Sequence, residues 1–579
     1  MSSFLKEVVQ LIQAENHNEI KLIFPTQRAV SLFKSEFFNK SKTAIKLPET
    51  ITWSDFVSDL LPVKVIDKEL ALGFLYQAYL KVGKSAENYE SFLNWGEVVF
   101  DDFERIVLQD LEGQKVLSQL NIIKVLEKWN LEPGTKKNYL KIWEILPALF
   151  NEFYTTAKEK KLTTNALKYS VAKIELNQSK IKSEKVYFCG FTVFSNAEKE
   201  LIKELKNKCE VYFIQDSPIW GEISKTHESN KFEIENAAFF SNFISIGEQE
   251  VNSKNFEALN CANDVVAVKS LADILNNVPN EELGTWAVIL LNDSDLPLLL
   301  NSIPNEISNL NIGIGNPYRN THEGLFFQAL LDIDKSLNKN NEVSFVEIFE
   351  FLDILKPLEV ISIDELEKLR DVILRKNLKT LNRIQFADIF SNNSLSSLSE
   401  LFHKELSLLN FTLKCLEVNF IEWVTTYNII QSVKEKLFLF EDKMFTSEMV
   451  SSLLDNEIRS ASIPIQGSKE NGLQIMSLLE TRCLDFENLI FLSFTDENLP
   501  QSPLTTYIPL ELRTQYQFPD QGTRESVFAY HFMRLLKRSK KSKFIYSDNS
   551  SFSKSGDPSR FLLQGIMEWQ KNDEQLDFK

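Results

Sequence analysis

The segment "KVYFCGFTVFSNAEKELIKELKNKCEVYFIQ", residues 185–215, decides the fold class. It begins and ends with short, almost wholly apolar runs, KVYFCGF (185–191) and CEVYFIQ (209–215), which are typical of strands buried on both faces of a parallel sheet. Between these runs, Ser195 and Glu198 form the S-x-x-E capping box that starts a helix. The pattern predicts a strand, a helix and a second, parallel strand.

The same alternation recurs toward both ends of the chain. IKLIFPT (20–26), TWAVILLN (285–292) and KFIYSDN (543–549) are further strand-like apolar runs. Two long tracts, at about 60–180 and 321–464, instead carry the i, i+3, i+4 apolar spacing of helices. We therefore predict an α/β protein with two parallel-sheet domains, each interrupted by a helical insertion.

Length and composition indicate a folded protein of several domains. At ~150 residues per domain, the 579 residues suggest about three or four, and 44 Phe supply large core side chains. Five scattered cysteines without a C-x-x-C pair predict neither a disulfide framework nor a cysteine metal site, which fits a reducing cytoplasm. No apolar run is long enough to cross a membrane. The net charge of −17 opposes non-specific binding to nucleic acid, although a local basic groove stays compatible with it.

Residues for phosphate chemistry are missing where such chemistry requires them. An ATP-driven motor needs a glycine-rich loop and a lysine after its first strand, but that strand leads into Pro25-Thr26-Gln27-Arg28. The G-K-S at 83–85 follows a helical pattern, so Gly83 is predicted to be a helix C-cap. Asp216, which follows the strand at 209–215, is interpreted as a turn residue. We expect no ATP hydrolysis.

Nuclease and zinc chemistry find no better support. A restriction-type nuclease site combines an Asp with a D/E-x-K triplet around Mg²⁺. Asp520 and the terminal D-x-K at 577–579 do not lie convincingly on strands. The five histidines lie apart, without an H-E-x-x-H pattern. We predict no catalytic and no metal-binding residue in this chain.

A basic run closes a helical pattern near the C-terminus. Residues 534–543 carry six positive charges in ten positions. These cations either face the negative end of the helix dipole or contact phosphate groups.

The segment "LQIMSLLETRCLDFENLIFLSFTDENLP", residues 473–500, resembles motif V of UvrD-like superfamily-one helicases, T-L-H-x-x-K-G-L-E-F followed by a strand. In that register Ser477 takes the place of the threonine and Arg482 that of the lysine. Cys483 takes the place of the glycine and Asp485 that of the glutamate. Leu479 replaces the histidine. Downstream, KRSKKSKFIYSDN resembles motif VI, with Arg538 at the arginine that would touch a γ-phosphate.

The whole chain is similar to the AddB-like subfamily of PD-(D/E)xK nuclease proteins, which carry a degenerate helicase body. The blocks that carry this resemblance, in order, are FPTQRA, NWGEVVFDDFE, VYFCGFTVFSNAEKE, LLETRCLDFENLIFLS, YIPLELR and AYHFMRLLKRSKK. The resemblance implies two RecA-like (P-loop NTPase-like) domains, with a Mg²⁺-dependent exonuclease domain expected only beyond residue 579. The implied segments are 1–60 with 181–255 for the first domain, 256–320 with 465–579 for the second, and helical insertions at 61–180 and 321–464.

The resemblance implies that the chain is the inactivated, helicase-like part of an AddB-type helicase-nuclease and that it binds DNA or serves as a scaffold. The implied process is the processing of DNA ends at double-strand breaks and recombinational repair. The expected partners are single-stranded or end-containing DNA and an AddA-like helicase-nuclease subunit, with no membrane. The candidate DNA-binding residues are Ser477, Arg482, Lys537, Arg538 and Lys540. The candidates for a degenerate nucleotide cleft are Arg28, Gly190, Asp485 and Arg538. The alternative is a protein-interaction platform with a helicase fold that binds no DNA.

Overall fold

The architecture is taken from a computed structural model of the 579-residue chain. The structure describes residues 3–578, except for 14, 16, 18, 41–45, 84–86, 122–132, 179–180, 182, 220–225, 248–253, 305, 308, 314–315, 357–361, 383, 386–423, 439–446, 464–471, 501–504, 548–555 and 573–575. Lys84 and Ser85 of the G-K-S at 83–85 and Lys579 of the terminal D-x-K therefore lie outside the described residues.

The described elements are mostly helices joined to short strands. The strands are β1 Ile20–Phe24, β2 Glu49–Thr52, β3 Lys64–Val65, β4 Leu162–Thr163, β5 Lys185–Cys189, β6 Glu210–Asp216, β7 Asn242–Ile246, β8 Lys254–Cys261, β9 Trp286–Leu290, β10 Leu310–Ile312, β11 Asn316–Pro317, β12 Glu342–Ser344, β13 Thr380–Asn382, β14 Ser462–Ile463, β15 Leu473–Ser477, β16 Asn488–Leu492, β17 Lys541–Ser547 and β18 Leu576–Phe578. The helices are α1 Phe4–Ile12, α2 Gln27–Lys40, α3 Trp53–Asp59, α4 Lys68–Val82, α5 Tyr89–Leu108, α6 Gly113–Ser118, α7 Pro133–Glu159, α8 Leu167–Gln178, α9 Asn196–Lys206, α10 Lys231–Phe239, α11 Asp264–Asn276, α12 Leu296–Leu300, α13 His322–Asn340, α14 Phe345–Leu355, α15 Ile363–Arg375, α16 Val424–Phe438, α17 Ser447–Ser460, α18 Leu510–Gln515, α19 Gln521–Arg538 and α20 Arg560–Asn572.

The first sheet contains the segment that predicted the fold. Among the described residues its strands lie in the order β2-β1-β5-β6-β7, and every neighbouring pair is parallel. β5 and β6 pair from Lys185 opposite Glu210 onward, with α9 as the crossover helix. Ser195 and Glu198 make both hydrogen bonds of the predicted capping box at the start of α9. The predicted strand-helix-strand unit is confirmed.

The second sheet is assembled from both halves of the chain. Its described strands lie in the order β10-β15-β9-β16-β17-β8-β18, again with parallel pairing throughout. The central strands β9 and β16 are buried along their whole length. Such continuous burial explains why their sequences read as unbroken apolar runs rather than alternating ones. The prediction of an α/β protein with two parallel sheets is confirmed.

One cluster of buried apolar side chains includes residues of both sheets. It joins Leu22 and Tyr187 of the first sheet to Ile289 and Phe491 of the second, together with Phe4 of α1. Burial of each such side chain contributes roughly 1.5–3 kcal/mol. The two sheets consequently belong to one compact unit, formed by Met1–Ser85, Gly96–Ile314 and Gln466–Lys579.

The tracts predicted to be helical do contain helices. The segment between β2 and β5 carries α3–α8, and Gly83 is the C-cap of α4, its N–H donating to the carbonyl of Tyr79, as predicted. A second compact unit, Ala86–Trp95 with Gly315–Ile465, contains α13–α17. None of the described helices is long and apolar enough to cross a membrane. The finer division into four segments stays a prediction.

Two acids of α5 connect distant parts of the first unit. Asp102 accepts hydrogen bonds from the Thr506 hydroxyl at 2.6 Å and from the Tyr507 N–H at 2.7 Å. Glu104 accepts from the Ala166 N–H at 2.8 Å. Burial raises the pKa of both carboxyls, although their hydrogen bonds partly offset that effect. These acids of the NWGEVVFDDFE block therefore anchor loops.

Candidate functional site

In the first sheet, the direction in which the chain adds successive strands changes between β1 and β5. The crevice of interest lies at the carboxyl ends of these two strands. From β1 the chain continues to β2 on one side, whereas from β5 it continues to β6 on the other. Open α/β sheets bind ligands in the crevice that such a reversal creates. The residues that line this crevice define the candidate site.

The turn after β1 is too short for a phosphate-binding loop. β1 ends at Phe24 and α2 begins at Gln27, so only Pro25 and Thr26 separate the strand from the helix. The Thr26 hydroxyl accepts a hydrogen bond from the Ala29 N–H at 3.2 Å and thereby caps α2. A phosphate group at this helix end would have to compete with Thr26 for that donor.

The loop after β15 closes directly onto the end of β5. Gly190 has a φ of 72°, and a Cβ placed on it would lie 2.2 Å from the Cys483 sulfur and 3.1 Å from the Phe4 ring. The Cys483 thiol lies 3.8 Å from the carbonyl oxygen of Cys189. Burial raises the pKa of Cys483 to about 12, so it is a protonated packing group. The chain's own side chains fill this part of the crevice.

Cys483 has a left-handed backbone conformation. Its φ is 66°, in the left-handed region that favours glycine. The helicase pattern has a glycine at this place.

Beside this contact lies a buried group of ion pairs, which we call the crevice network: Glu7, Asp216, Asp485, Arg534 and Arg538. Arg538 pairs with Asp216 at 2.8 Å and with Glu7 at 3.0 Å. Arg534 pairs with Asp485 at 2.9 Å and with Asp216 at 3.4 Å. Asp216 comes from the first sheet and both arginines from α19, which precedes a strand of the second sheet. The network therefore ties the two sheets together.

Burial and mutual attraction determine the charges of the network. Burial raises the pKa of Asp485, while Arg538 and Arg534 lower it in part. Burial alone would lower the pKa of both arginines, but Asp216 and Asp485 outweigh that effect, so both remain cationic. Removing one member of such a buried pair typically costs about 3–5 kcal/mol, because the other charge stays buried without a partner.

Asp216 corrects an interpretation made from the sequence. A turn residue was expected, but Asp216 is the last residue of β6 and only 1% of its surface is exposed. Its carboxylate accepts from Arg538 Nε at 3.1 Å as well as from the Nη2 group. The cause is tertiary, because the pairing arginines lie more than 300 residues away.

The N-terminal helix α1 reaches into the same crevice. The Phe4 N–H donates to Asp485 Oδ2 at 2.7 Å. Glu7 accepts from Arg538 through one oxygen and from the Gly247 N–H, at 3.0 Å, through the other. α1 thus contacts the ends of β5 and β7 and the loop after β15 at once.

Arg28 contacts a different set of residues. Its guanidinium donates to the side-chain oxygen of Gln474, which also accepts from Asn311 at 2.9 Å. Burial lowers the pKa of Arg28, and the nearby Glu480 carboxylate partly restores it. Of the residues predicted to line a degenerate nucleotide cleft, the structure brings Gly190, Asp485 and Arg538 together and places Arg28 in this second polar cluster.

Three predicted DNA-binding side chains are engaged within the protein. Lys537 is 2% exposed and donates to the Ser217 carbonyl at 3.0 Å, and Arg538, in the crevice network, is 3% exposed. Lys540 is half exposed but pairs with Glu487 at 2.6 Å. Burial of Lys537 and Arg538 disfavours the predicted phosphate contacts, because a phosphate would reach them only if these bonds broke.

Ser477 makes a hydrogen bond within its own turn. Its N–H donates to Glu480 Oε2 at 3.2 Å, at the start of the short 3₁₀ turn Leu478–Thr481. Ser477 itself is half-buried. Its predicted role as a hydrogen-bond donor to DNA stays a prediction.

Arg482 is the exception among the predicted DNA-binding cations. It is half-buried, and it makes no hydrogen bond or ion pair with any residue in the described part of the chain. Burial lowers its pKa. Arginines are rarely buried without an acceptor. This guanidinium is consequently the member of the predicted set that stays available for an anion.

Four buried polar residues, His531, Thr192, Asn236 and Gln215, each lie within hydrogen-bonding distance of the next. His531 Nε2 lies 3.3 Å from the Thr192 hydroxyl, while Asn236 donates to the Thr192 carbonyl at 2.8 Å and to Gln215 at 3.0 Å. Burial lowers the pKa of His531 well below its usual range, and the positive charges of Arg482 and Arg534 lower it further. His531 is therefore neutral at physiological pH.

The end of α19 explains part of the basic run. Lys254, at the start of β8, is buried and donates to the carbonyls of Leu536, Lys537 and Ser539 at 2.7–3.1 Å. A cation at this place donates to carbonyls at the helix end and interacts favourably with the helix dipole. The cation that donates to this helix end is thus Lys254, which lies outside the basic run. The interpretation that the cations of residues 534–543 face the helix dipole stays a prediction.

Sequence reasoning missed Glu7, Gly247 and Lys254 as parts of these interactions. Single charged residues in ordinary helical or strand patterns give no signal of a distant partner. Arg534 could have been found, because it lies in the basic run yet on the apolar face of its helix. Among the described residues, no group of three or more His, Cys, Asp or Glu side chains is arranged to hold a metal ion.

No protein-family model matches the chain, and no curated protein matches it.

Proposed function

We propose that this chain is the helicase-like body of an AddB-type protein, with two RecA-like sheets, which acts in DNA end processing without hydrolysing ATP itself. The observation that carries the proposal is the filled crevice. Cys483, Phe4 and the crevice network occupy the place where an open α/β sheet would bind its ligand. The two-residue turn after β1 supports the same conclusion.

The proposed role is that of a rigid scaffold. A motor of this class closes and opens its two sheets around the nucleotide, so their interface has to be mobile. Here a continuous apolar core and buried ion pairs join the sheets. In this proposal an AddA-like partner supplies translocation, and the chain holds or guides the DNA.

DNA contact in this proposal depends on Arg482. It lies in the stretch that resembles motif V, and it has no acceptor among the described residues. A guanidinium without an acceptor can bind a phosphate of the DNA backbone. Such a contact gives affinity without recognising the base sequence. Lys540 is the second candidate, because its pair with Glu487 is half exposed and exchanges easily for another anion.

ATP turnover tests the absence of a motor. The purified chain should hydrolyse no ATP with Mg²⁺, either alone or with saturating single-stranded DNA. Turnover that DNA stimulates and that follows the protein through successive columns would overturn the proposal.

A salt titration tests the DNA contact. Affinity for a fluorescent single-stranded oligonucleotide should fall with salt by ~0.7 log units per log unit of salt for each phosphate contact. Arg482→Gln should weaken binding and reduce that slope by about one contact. Arg375→Gln is the matched control, because it removes the same charge from an exposed position in the other compact unit. Equal effects of both changes would argue against a specific role for Arg482.

The second candidate is a protein-interaction platform that binds no DNA. Two observations favour it, namely the burial of Lys537 and Arg538 and the net charge of −17. No detectable binding of the oligonucleotide at low salt would select this function. Binding that Arg482→Gln weakens would exclude it.

A further inference from the structure

Residues 481–484 form a tight turn, which we call the Arg482 turn. The Leu484 N–H donates to the Thr481 carbonyl at 2.9 Å, so Arg482 and Cys483 are the two central residues of the turn. Arg482 has a φ of −53° and a ψ of 127°, and Cys483 has a φ of 66°. These three angles match a type II β-turn, whose second central position favours glycine.

The residues of the Arg482 turn do not favour this conformation by themselves. Cys483 carries a Cβ, and such a residue is unfavourable in the left-handed region. Thr481 and Leu484 are both buried, so their carbonyl groups need hydrogen-bond donors. The turn therefore depends on interactions with groups outside it.

Arg534 of α19 supplies these interactions. Its Nη2 group donates to the carbonyls of Thr481 and Leu484, each at 2.7 Å. Its Nη1 group donates to Asp485, the residue after the turn, at 2.9 Å. Only 2% of the Arg534 side chain is exposed, so its position is fixed by these partners. One guanidinium thus joins the first and the last residue of the turn.

The conformation of the turn decides where the side chain of Arg482 leaves the backbone. This side chain is half-buried and has no acceptor among the described residues. Its charge lies close enough to His531 to lower the pKa of that imidazole. An arginine that is already ordered binds an anion more tightly than a flexible one, because ordering the side chain on binding costs free energy. A fixed turn consequently favours an anion at Arg482.

We propose that Arg534 is a positioning residue for the DNA contact of Arg482. Through its two bonds to carbonyl groups it keeps the Arg482 turn in the conformation that presents the Arg482 guanidinium to a backbone phosphate. Arg534 acts through Arg482 and does not itself contact the DNA. This inference rests on the proposed function and deepens it, since it names the residue that prepares the site.

The test replaces Arg534 by lysine in the full chain. Arg534→Lys keeps the positive charge beside the two buried carboxylates, but a single ammonium group cannot reproduce the planar fork that reaches both carbonyls as well. Arg370→Lys is the matched control. Arg370 also joins a carboxylate, that of Asp353, to a backbone carbonyl, that of Phe349, but in the other compact unit.

Binding of a fluorescent single-stranded oligothymidylate is measured from low salt upward. We expect Arg482→Gln to weaken binding about 10-fold, as for the loss of one charge-assisted hydrogen bond. Arg534→Lys should weaken it about 3- to 10-fold although it removes no charge, and Arg370→Lys by less than about 2-fold. The double variant should bind within about 2-fold of Arg482→Gln alone, because both changes act on the same contact.

Hydrogen exchange separates a loosened turn from a general loss of structure. In Arg534→Lys the Leu484 N–H should exchange about 10-fold or more faster, whereas the amides of β16 should change by less than about 2-fold. Equal acceleration at both places would show a merely structural role and overturn the inference. If Arg534→Lys does not fold, the parent chain decides, because a fixed turn requires its Leu484 N–H to exchange within about 10-fold of the β16 amides; faster exchange there rules the inference out.

The binding results distinguish a failure of this inference from a failure of the proposed function. If the parent chain binds no oligonucleotide, the proposed function is wrong, and the inference that rests on it is wrong as well. If the parent binds and Arg482→Gln weakens binding, but Arg534→Lys leaves it unchanged, only this inference is wrong. Additive losses in the double variant, about 30- to 100-fold in total, would also overturn it, because Arg534 would then act independently of Arg482.

Discussion

The contact between Gly190 and Cys483 makes the closed crevice directly testable. Gly190→Ala adds one methyl group at a position whose φ is 72°, where an L-residue other than glycine costs roughly 1–2 kcal/mol. The added Cβ would also lie 2.2 Å from the Cys483 sulfur, far inside contact distance. Overpacking of this kind costs roughly 1–3 kcal/mol. We therefore expect a total loss of about 2–5 kcal/mol.

The two contributions can be separated by a double-mutant cycle. In a Cys483→Ala background the sulfur is absent, so the cost of Gly190→Ala should fall to the backbone term of about 1–2 kcal/mol and a small shift of the Phe4 ring, which lies 3.1 Å from the added Cβ. The coupling between the two changes should then be about 1–3 kcal/mol. Gly522→Ala is a control, because a Cβ there meets nothing closer than 3.8 Å and lies in a helix.

Native-state hydrogen exchange is the suitable assay for a chain of this size. It reports the opening free energy of β5 and β15 separately and does not require the whole chain to unfold in one step. Each 1.4 kcal/mol appears as about a 10-fold faster exchange. A coupling below about 0.5 kcal/mol would refute the packing of the loop after β15 against the end of β5.

Three further changes test other parts of the structure. His531 is buried and neutral in the folded chain, whereas in the unfolded chain its imidazole binds a proton below pH 6.5. The free energy of unfolding should therefore fall by about 1.4 kcal/mol for each pH unit as the pH is lowered from 6.5 to 5. His531→Gln should flatten this slope, and an unchanged slope would contradict a buried, neutral His531. Lys254→Met should remove the Nζ donor to the carbonyls of Lys537 and Ser539 at the end of α19, with a local loss of about 2–4 kcal/mol in exchange protection there; protection equal to that of the parent would show that the cap is dispensable. Asp102→Asn should weaken the hold on Thr506 and Tyr507 by about 1–3 kcal/mol, measured as faster proteolysis of the 505–508 loop, and unchanged cleavage would contradict this role.

Local signals in the sequence were sufficient for the architecture. Apolar runs such as 185–191 and 285–292 identified strands buried on both faces, because a central parallel strand has no polar side to show. The capping box at Ser195 and the C-cap at Gly83 were found because both depend on residues only a few positions apart. The absence of a phosphate loop after β1 could likewise be predicted, because it depends only on the few residues that follow the strand.

The candidate site was harder to predict, and its residues show why. Cys483 was assigned from its register to a glycine position, and its φ of 66° agrees with that assignment. Asp216 was misread, because nothing near it in the sequence indicates two arginines that lie more than 300 residues away. Lys537 and Arg538 were predicted to be DNA-binding candidates from the resemblance of their basic run to motif VI, whereas the packing of α19 buries them.

The sequence by itself determined that this chain is an α/β protein with parallel sheets and without a phosphate loop, because hydrophobic periodicity, caps and turns are properties of neighbouring residues. Only the tertiary structure decided which charges are buried, which remain open and which side chains fill the crevice. Glu7, Asp216 and Arg538 come from three distant segments, and a charge keeps or loses its solvent according to the neighbours that the fold supplies. For the same reason Arg482, rather than its basic neighbours, remains the anion-binding candidate.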